Sequence, residues 1–128
     1  MASRLGYFTV GTNDMEKALE FYDELLGFAG WTAFFETPRG GRIYRSGNEM
    51  FGVLNPRDEC AATVGNGTMC GFGFDTEEEA AAFHAKALEL GGTNEGNFGD
   101  RGNGASFGYC RDLDGNKLCA YYNPLLDD

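Results

Sequence analysis

The feature that most constrains this chain of 128 residues is an internal repeat. The segment Tyr7–Val10 aligns with Met69–Phe72, and the alignment continues without a gap as far as Gly30 and Gly92. Within it, apolar residues recur with the spacing i, i+3, i+4, i+7 and i+8, which places one apolar stripe on each of two helices. These residues are Ala18, Phe21, Tyr22, Leu25 and Leu26 in the first copy, and Ala80, Phe83, His84, Ala87 and Leu88 in the second. The repeat predicts two similar halves.

Each predicted helix is preceded by a capping-box pair, in which a side-chain oxygen and a carboxylate satisfy amides of the first turn. The pairs are Asn13 with Glu16 and Thr76 with Glu79, so the helices are predicted to begin near residues 14 and 77.

The remaining segments of each copy have the composition of β-strands separated by turns. Strands are predicted after the helix at residues 31–36, 42–45 and 49–54 in the first copy, and near 106–111 and 117–122 in the second. Between the second helix and these strands lies a glycine-rich stretch, residues 94–104, and residues 57–66 connect the copies. A second shared phrase aligns Gly47–Pro56 with Gly115–Pro124.

This order of elements predicts an α+β protein made of tandem βαβββ modules that form a cupped mixed sheet. The modules are placed at residues 4–56 and 67–124. Neither module has enough apolar surface to fold alone, so residues 1–128 are predicted to form a single domain.

Charge and composition exclude some classes of function. Ten basic and twenty acidic residues give a net charge of −10, which opposes binding to a polyanion such as nucleic acid. The same charge would favour a cationic ligand. No apolar run of about 18 residues is present, and Met1–Arg4 lead into an alternating segment, so no membrane span or export signal is predicted.

The four cysteines indicate the cellular compartment. Cys60, Cys70, Cys110 and Cys119 lack the CxxC spacing of zinc or redox motifs, and most lie in strand-like segments. Buried thiols in a reducing compartment, and hence a cytoplasmic location, are expected.

Two phrases in the repeat resemble the vicinal-oxygen-chelate superfamily, which includes glyoxalase I, bleomycin-resistance proteins and extradiol dioxygenases. Gly11–Ala18, followed by Phe21–Asp23 and Leu26–Gly27, resembles the first helix of that family, and Arg111–Leu118 resembles its closing hairpin. The resemblance covers residues 4–124 and implies a single-domain protein of the bacterial type, with a cup in the curved sheet. It also implies a homodimer, because family members commonly pair their modules across a dimer.

In metal-dependent members, the first and last strands of each module supply histidine or glutamate ligands inside the cup. The aligned positions here are Tyr7, Phe51, Met69 and Cys119, and none is an imidazole or a carboxylate. A shifted register would offer a carboxylate only at Glu49. No catalytic residue, metal ligand or cofactor is therefore predicted.

Strand alternation predicts instead an aromatic, sulfur-bearing lining for the cup, suited to a small flat or apolar molecule with tyrosine hydroxyls as polar groups. The predicted ligand-binding residues are Tyr7, Thr9, Phe51, Met69, Tyr109, Cys119 and Tyr121. Arg101, in the longer loop of the second copy, is a candidate for an anionic group of a ligand. His84 is expected to pack at the edge of the core, and residues 112–116 are expected to form a turn, because they lack the further ligands of a calcium loop.

Three hypotheses remain open. The first is a metal-independent protein that binds a small hydrophobic or cationic molecule in the cup. The second is a lyase, isomerase or dioxygenase, with unrecognised metal ligands or with a metal-free mechanism using Tyr7, Tyr109 or Cys119. The third is a non-catalytic subunit whose cup is filled by its own side chains.

Overall fold

The computed structural model describes residues 1–126 and confirms the tandem α+β architecture. The first copy contains β1 Tyr7–Gly11, α1 Met15–Phe28, β2 Thr32–Glu36, β3 Arg42–Ser46 and β4 Glu49–Leu54. The second contains β5 Cys70–Gly73, α2 Glu77–Glu89, β6 Thr93–Asp100, β7 Ser106–Arg111 and β8 Lys117–Tyr122, followed by a 3-10 turn at Pro124–Leu126. In this part of the chain, no helix is long and apolar enough to cross a membrane.

Each copy forms a compact unit, the first ending at Val64 and the second beginning at Gly65. The strand order is β1-β4-β3-β2 in the first sheet and β5-β8-β7-β6 in the second. In each sheet the first and last strands of the module are parallel neighbours, and the other pairs are antiparallel.

The apolar helical stripes form the two cores. In α1 all five stripe residues are buried, and in α2 all are buried except Leu88, which is partly exposed. Aromatic rings join helix to sheet in both units: Tyr22 lies 5.1 Å from Phe51, and Phe83 lies 5.0 Å from Phe72 between ring centroids. Each helix therefore covers one side of its own sheet.

The helix starts follow the prediction in one copy and not in the other. Thr76 caps α2 as predicted, accepting a hydrogen bond from the amide three residues later. The predicted cap Asn13 is wrong, because its side chain exchanges two hydrogen bonds with the backbone of Ala62, at 2.8 and 3.1 Å. Asp14 caps α1 instead, accepting from the amide of Lys17.

The glycine-rich stretch of the second copy is mostly a strand. β6 extends to Asp100 and pairs with β7 through two register shifts, at residues 94–96 and 96–99. The chain then turns through Gly102 and Gly104, both at positive φ (104° and 85°), where a side chain would be strained. The glycines thus shape an irregular edge strand and its turn.

The last strands of the two copies are β4 and β8. In the structure their alignment is displaced by one residue from the one that the shared phrase predicts. Thr9 lies opposite Gly52, and Gly71, which aligns with Thr9, lies opposite Cys119. Cys119 therefore corresponds to Gly52, not to Phe51. The shared phrase marks where each strand leaves its hairpin, whereas the register against the first strand is set by the side chains that pack under the helix.

Candidate functional site

Each sheet has one side covered by its helix and one side that its helix does not cover, which we call the open face. On the first sheet, a Cβ added at Gly52 would lie 2.8 Å from Cδ1 of Ile43, 3.2 Å from Cγ2 of Thr9 and 3.6 Å from the hydroxyl of Tyr7. These residues therefore share the open face. Tyr7 is 49% exposed. In the same sheet, Cζ of Arg45 lies 4.9 Å from the centroid of the Phe34 ring.

The prediction that Phe51 lines this face is wrong. Its ring lies 6.3 Å from that of Phe8 and 5.1 Å from that of Tyr22 on α1, and the residue is only 1% exposed. Because successive strand residues alternate between faces, the one-residue difference in register moves Phe51 to the helix side.

The open face of the second sheet has a continuous aromatic surface, which we call the aromatic stack: Phe107, Tyr109 and Tyr121. The rings of Phe107 and Tyr109 lie 6.2 Å apart and 4° from parallel, and those of Phe107 and Tyr121 lie 5.5 Å apart and 18° from parallel. All three side chains are partly exposed. The stack is therefore an accessible apolar surface made of three nearly parallel rings.

Glycines on the neighbouring strands allow these rings to lie close to the backbone. A Cβ at Gly73 would meet Cζ and the hydroxyl of Tyr121 at 2.9 Å, and a Cβ at Gly71 would lie 3.5 Å from Cε1 of the same ring. On the other side, a Cβ at Gly96 would lie 3.1 Å from Cδ2 of Tyr109. A side chain at Gly73 would displace the ring of Tyr121, and one at Gly96 would force the ring of Tyr109 to shift by a few tenths of an ångström.

Two cations flank the aromatic stack. Nζ of Lys117 lies 5.2 Å from the centroid of Tyr109, and Cζ of Arg101 lies 5.6 Å from the same centroid. Nη2 of Arg101 donates to the carbonyl oxygens of Asn97 at 2.6 Å and of Phe107 at 3.3 Å. The guanidinium is thereby fixed beside the rings.

Cys119 lies beside the aromatic stack on the same face and is 1% exposed. Burial raises the pKa of its thiol to about 11, although the charges of Lys117 and Arg101 act in the lowering direction. At neutral pH the side chain is therefore a thiol, which is a weak nucleophile and a poor metal ligand.

His84 supports the stack from the opposite side of the sheet. Its Nε2 donates to the carbonyl oxygen of Tyr109 at 3.1 Å, and its ring is so close to Gly108 that an added Cβ there would lie 2.9 Å from Cγ and Cδ2. With an exposure of 6%, His84 is a packing residue, as predicted.

Cavities occur at equivalent ends of the two sheets. A cavity of about 450 Å³ adjoins the stack in the second unit and is lined by Gly73, Phe74, Asp75, Tyr121, Tyr122, Asn123, Pro124 and Leu126. A cavity of about 580 Å³ in the first unit is lined by Thr12, Asn13, Arg39, Asn55, Pro56, Glu59, Cys60 and Ala61. Both volumes are in the range of small-molecule sites. Only the cavity beside the stack includes a predicted ligand-binding residue, Tyr121.

The structure thus divides the predicted ligand-binding residues among three places. Tyr7 and Thr9 lie on the open face of the first sheet, and Phe51 lies beneath α1. Those on the open face of the second sheet are Tyr109, Cys119, Tyr121 and, by strand alternation, the 41% exposed Met69, which directly precedes β5.

Sequence reasoning missed Phe107 and Lys117, which complete the site on the second sheet. The signal was available, because Phe107-Gly-Tyr109 alternates large and small residues, and Lys117 recurs with Cys119 and Tyr121 at every second position, as on one face of a strand.

The donor set on the open faces does not fit the divalent metal of metal-dependent relatives. With the observed register, the four positions that would supply ligands are Tyr7, Gly52, Met69 and Cys119, and the last is a buried thiol with a raised pKa. Across residues 1–126, no three histidine, cysteine or carboxylate side chains are grouped so that they could hold a metal ion.

Comparison with known proteins identifies the family. Residues 4–120 match the model of the glyoxalase/bleomycin resistance protein/dioxygenase superfamily. A glyoxalase/bleomycin resistance protein from Albidiferax ferrireducens is 38% identical, with a TM-score of 0.84 over 95% of this chain and 100% of its own. No curated protein sequence matches this chain significantly.

More distant structures share the fold alone. A glyoxalase-related enzyme from Fulvimarina pelagi is 21% identical, with a TM-score of 0.77 over 96% of this chain and 90% of its own. Lactoylglutathione lyase from Agrobacterium tumefaciens is 17% identical, with a TM-score of 0.74 over 99% and 98%. The repeated βαβββ modules, the match along residues 4–120 and the 38% identical relative place this chain in the glyoxalase/bleomycin resistance protein/dioxygenase superfamily.

Proposed function

We propose that the protein binds a small, flat, apolar molecule on the aromatic stack and does so without a metal. The observation that carries the proposal is the set of three nearly parallel, partly exposed rings, Phe107, Tyr109 and Tyr121, held close to the sheet by glycine neighbours. Aromatic side chains offer a large contact area with little side-chain freedom to lose on binding.

The adjoining cavity supports the same proposal. Its volume of about 450 Å³ begins at Tyr121, so a ligand on the rings can extend into it. Tyrosine hydroxyls and the polar side chains of Asp75 and Asn123 at the cavity provide the few polar groups typical of small-molecule sites. A catalytic role for Cys119 has less support, because its thiol stays protonated at neutral pH.

The proposal extends to assembly. Tyr7, Phe34, Phe35 and Met69 are each 41% to 51% exposed, and exposed apolar groups of this size are commonly covered by a partner or a ligand. A homodimer, as the family resemblance implies, would account for them, and the free, buried thiols of the second sheet favour a cytoplasmic location. Sedimentation velocity with and without ligand tests the dimer.

The test of binding is calorimetric titration with 2-naphthamide, a flat neutral probe. We expect saturable binding with one molecule per chain. The variant Phe107→Leu should weaken it about fivefold, since an aromatic contact contributes about 1 kcal/mol beyond its area.

The matched control is Phe28→Leu, which removes a ring that is 54% exposed on α1 and lies in the other unit. It should leave the affinity unchanged. Absence of saturable binding, or equal losses in the two variants, would contradict the proposed function.

A further inference from the structure

Building on the proposed function, we propose that the ligand of the aromatic stack carries an anionic group, with that group placed beside Lys117 and Arg101. The ligand class is therefore a planar apolar acid, such as an aromatic carboxylate. The observation behind this is that two cations lie against one ring of the stack, Tyr109, at 5.2 and 5.6 Å.

This local charge is opposite to that of the chain, which carries ten more acidic than basic residues. Much of the acidic charge lies on the helices: α2 alone begins with Glu77, Glu78 and Glu79. The aromatic stack, by contrast, has Lys117 and Arg101 beside Tyr109, and the carboxylate of Asp75 lies at the far end, at the cavity beside Tyr121. An anion approaching the protein is repelled by the whole chain, so its binding depends on these two side chains.

Both cations are available to a ligand. Among residues 1–126, neither has a carboxylate within 4.0 Å, whereas their neighbour Arg111 pairs with Glu95 at 3.2 Å. The side-chain hydrogen bonds that Arg101 makes in this part of the chain use only Nη2. A guanidinium has five N–H donors, so Nε and Nη1 can still donate to an anion.

Strand β8 sets the distance between the charged part of the site, at Lys117, and its apolar part, at Tyr121. Lys117 begins β8 and Tyr121 follows four residues later, on the same face, which corresponds to about 13 Å. Phe107 lies opposite Tyr121, and the cavity begins there. A ligand with its acid group at Lys117 therefore lays its rings across Tyr109 and Phe107 toward Tyr121.

The same arrangement disfavours a cationic ligand, which the acidic composition had suggested. A positive group on Tyr109 would lie close to two like charges, and aromatic attraction for cations at this ring is already used by Lys117 and Arg101. Local charge, at these distances, outweighs the sign of the whole chain.

The experiment compares three probes of nearly the same size by calorimetry: 2-naphthoate, neutral 2-naphthamide and the 2-naphthylmethylammonium cation. We expect naphthoate to bind about tenfold more tightly than naphthamide, and the cation to bind more weakly than either. If naphthamide binds and naphthoate gains nothing, this inference is overturned while the proposed function stands. If none of the three binds, the proposed function fails.

Variants then test whether Lys117 and Arg101 cause the preference for naphthoate over naphthamide. Lys117→Met and Arg101→Met should each reduce the affinity for naphthoate about fivefold and reduce that for naphthamide by a clearly smaller factor, because the attraction to the anionic group is lost only for naphthoate. Lys86→Met is the matched control: it removes one positive charge from α2 of the same unit, where Lys86 pairs with Glu89 at 2.7 Å. Equal losses in Lys86→Met and Lys117→Met would show a general charge effect and overturn the inference.

Discussion

At the scale of single residues, Phe51 and Tyr7 lie on adjacent strands of the first sheet but on opposite faces. Phe51 is 1% exposed and packs against a ring of α1, whereas Tyr7 is 49% exposed on the open face. The two aromatic side chains therefore have different roles, the first in the core and the second at the surface.

Alanine substitutions should separate these roles. Phe51→Ala should lower the free energy of unfolding by about 3–5 kcal/mol, because it leaves a cavity under the helix. Tyr7→Ala should lower it by less than about 1 kcal/mol, since half of that side chain is already in water. Urea denaturation followed by circular dichroism measures both. Similar values for the two variants would contradict the face assignment.

Sequence reasoning placed Tyr7 and Thr9 on the open face correctly but placed Phe51 there wrongly. The error came from the shared Gly–Asn phrase, which is local to the hairpin and does not fix the register on the parallel strand β1. A displacement of one residue exchanges the faces of a strand, so a small alignment error reverses a site assignment.

At the scale of elements, the β7–β8 hairpin is held by the carboxylate of Asp112. Its Oδ1 accepts from the amides of Asp114 and Asn116 at 2.9 and 2.8 Å, and its Oδ2 accepts from Nδ2 of Asn116 at 2.9 Å. The residue is 4% exposed. The turn predicted at residues 112–116 is thus a loop hydrogen-bonded to a buried carboxylate, and it leads directly into the strand that carries Lys117.

Replacing the carboxylate of Asp112 should destabilise the fold by an amount that depends on how many of its hydrogen bonds the new side chain can keep. Asp112→Ala leaves three donors without their acceptor and should destabilise the fold by about 2–4 kcal/mol. Asp112→Asn can keep the two bonds to Oδ1 but loses the bond from Nδ2 of Asn116, so it should cost less, about 1 kcal/mol. Chemical denaturation of both variants gives the comparison. A larger loss for the Asn variant than for the Ala variant would show that the loop is held in another way.

The elements were predictable where local chemistry determines them. The stripes of both helices and the Thr76 cap follow from spacing and capping residues. β6 was not recognised as a strand, because glycines dominate it and its pairing includes two register shifts, which remove the alternating pattern. The cap of α1 was misplaced by one residue, since the Asn13 side chain bonds to Ala62, far away in the sequence.

At the scale of the whole molecule, the candidate site was only partly predictable because its charged residues come from separate elements. Lys117 begins β8 and Arg101 follows β6, yet both reach one ring of β7. Composition, with its net charge of −10, favoured a cationic ligand, whereas the two cations beside Tyr109 favour an anionic one. The net charge of the chain does not show where individual charges lie.

Buried thiols are a second property of the molecule as a whole. Burial raises the pKa of Cys70 and of Cys110 to about 12 and that of Cys119 to about 11, from an ordinary value of 9.0. All three lie on the strands of the second sheet. Above pH 9 an unfolded chain releases these protons, whereas the folded chain keeps them.

The fold should therefore lose stability in alkali. Because the raised pKa values belong to the folded state, their contribution is complete below pH 9 and is lost as the pH rises toward 11 and 12. Between pH 9.5 and 10.5, each such thiol should lower the free energy of unfolding by about 1 kcal/mol per pH unit. Urea denaturation across this range, with reductant present, measures the slope.

Cys119→Ala should make the slope shallower by about that amount, and Cys60→Ala, which removes an exposed thiol, serves as the control. An unchanged slope in Cys119→Ala would mean that other groups, such as tyrosines, cause the alkaline transition.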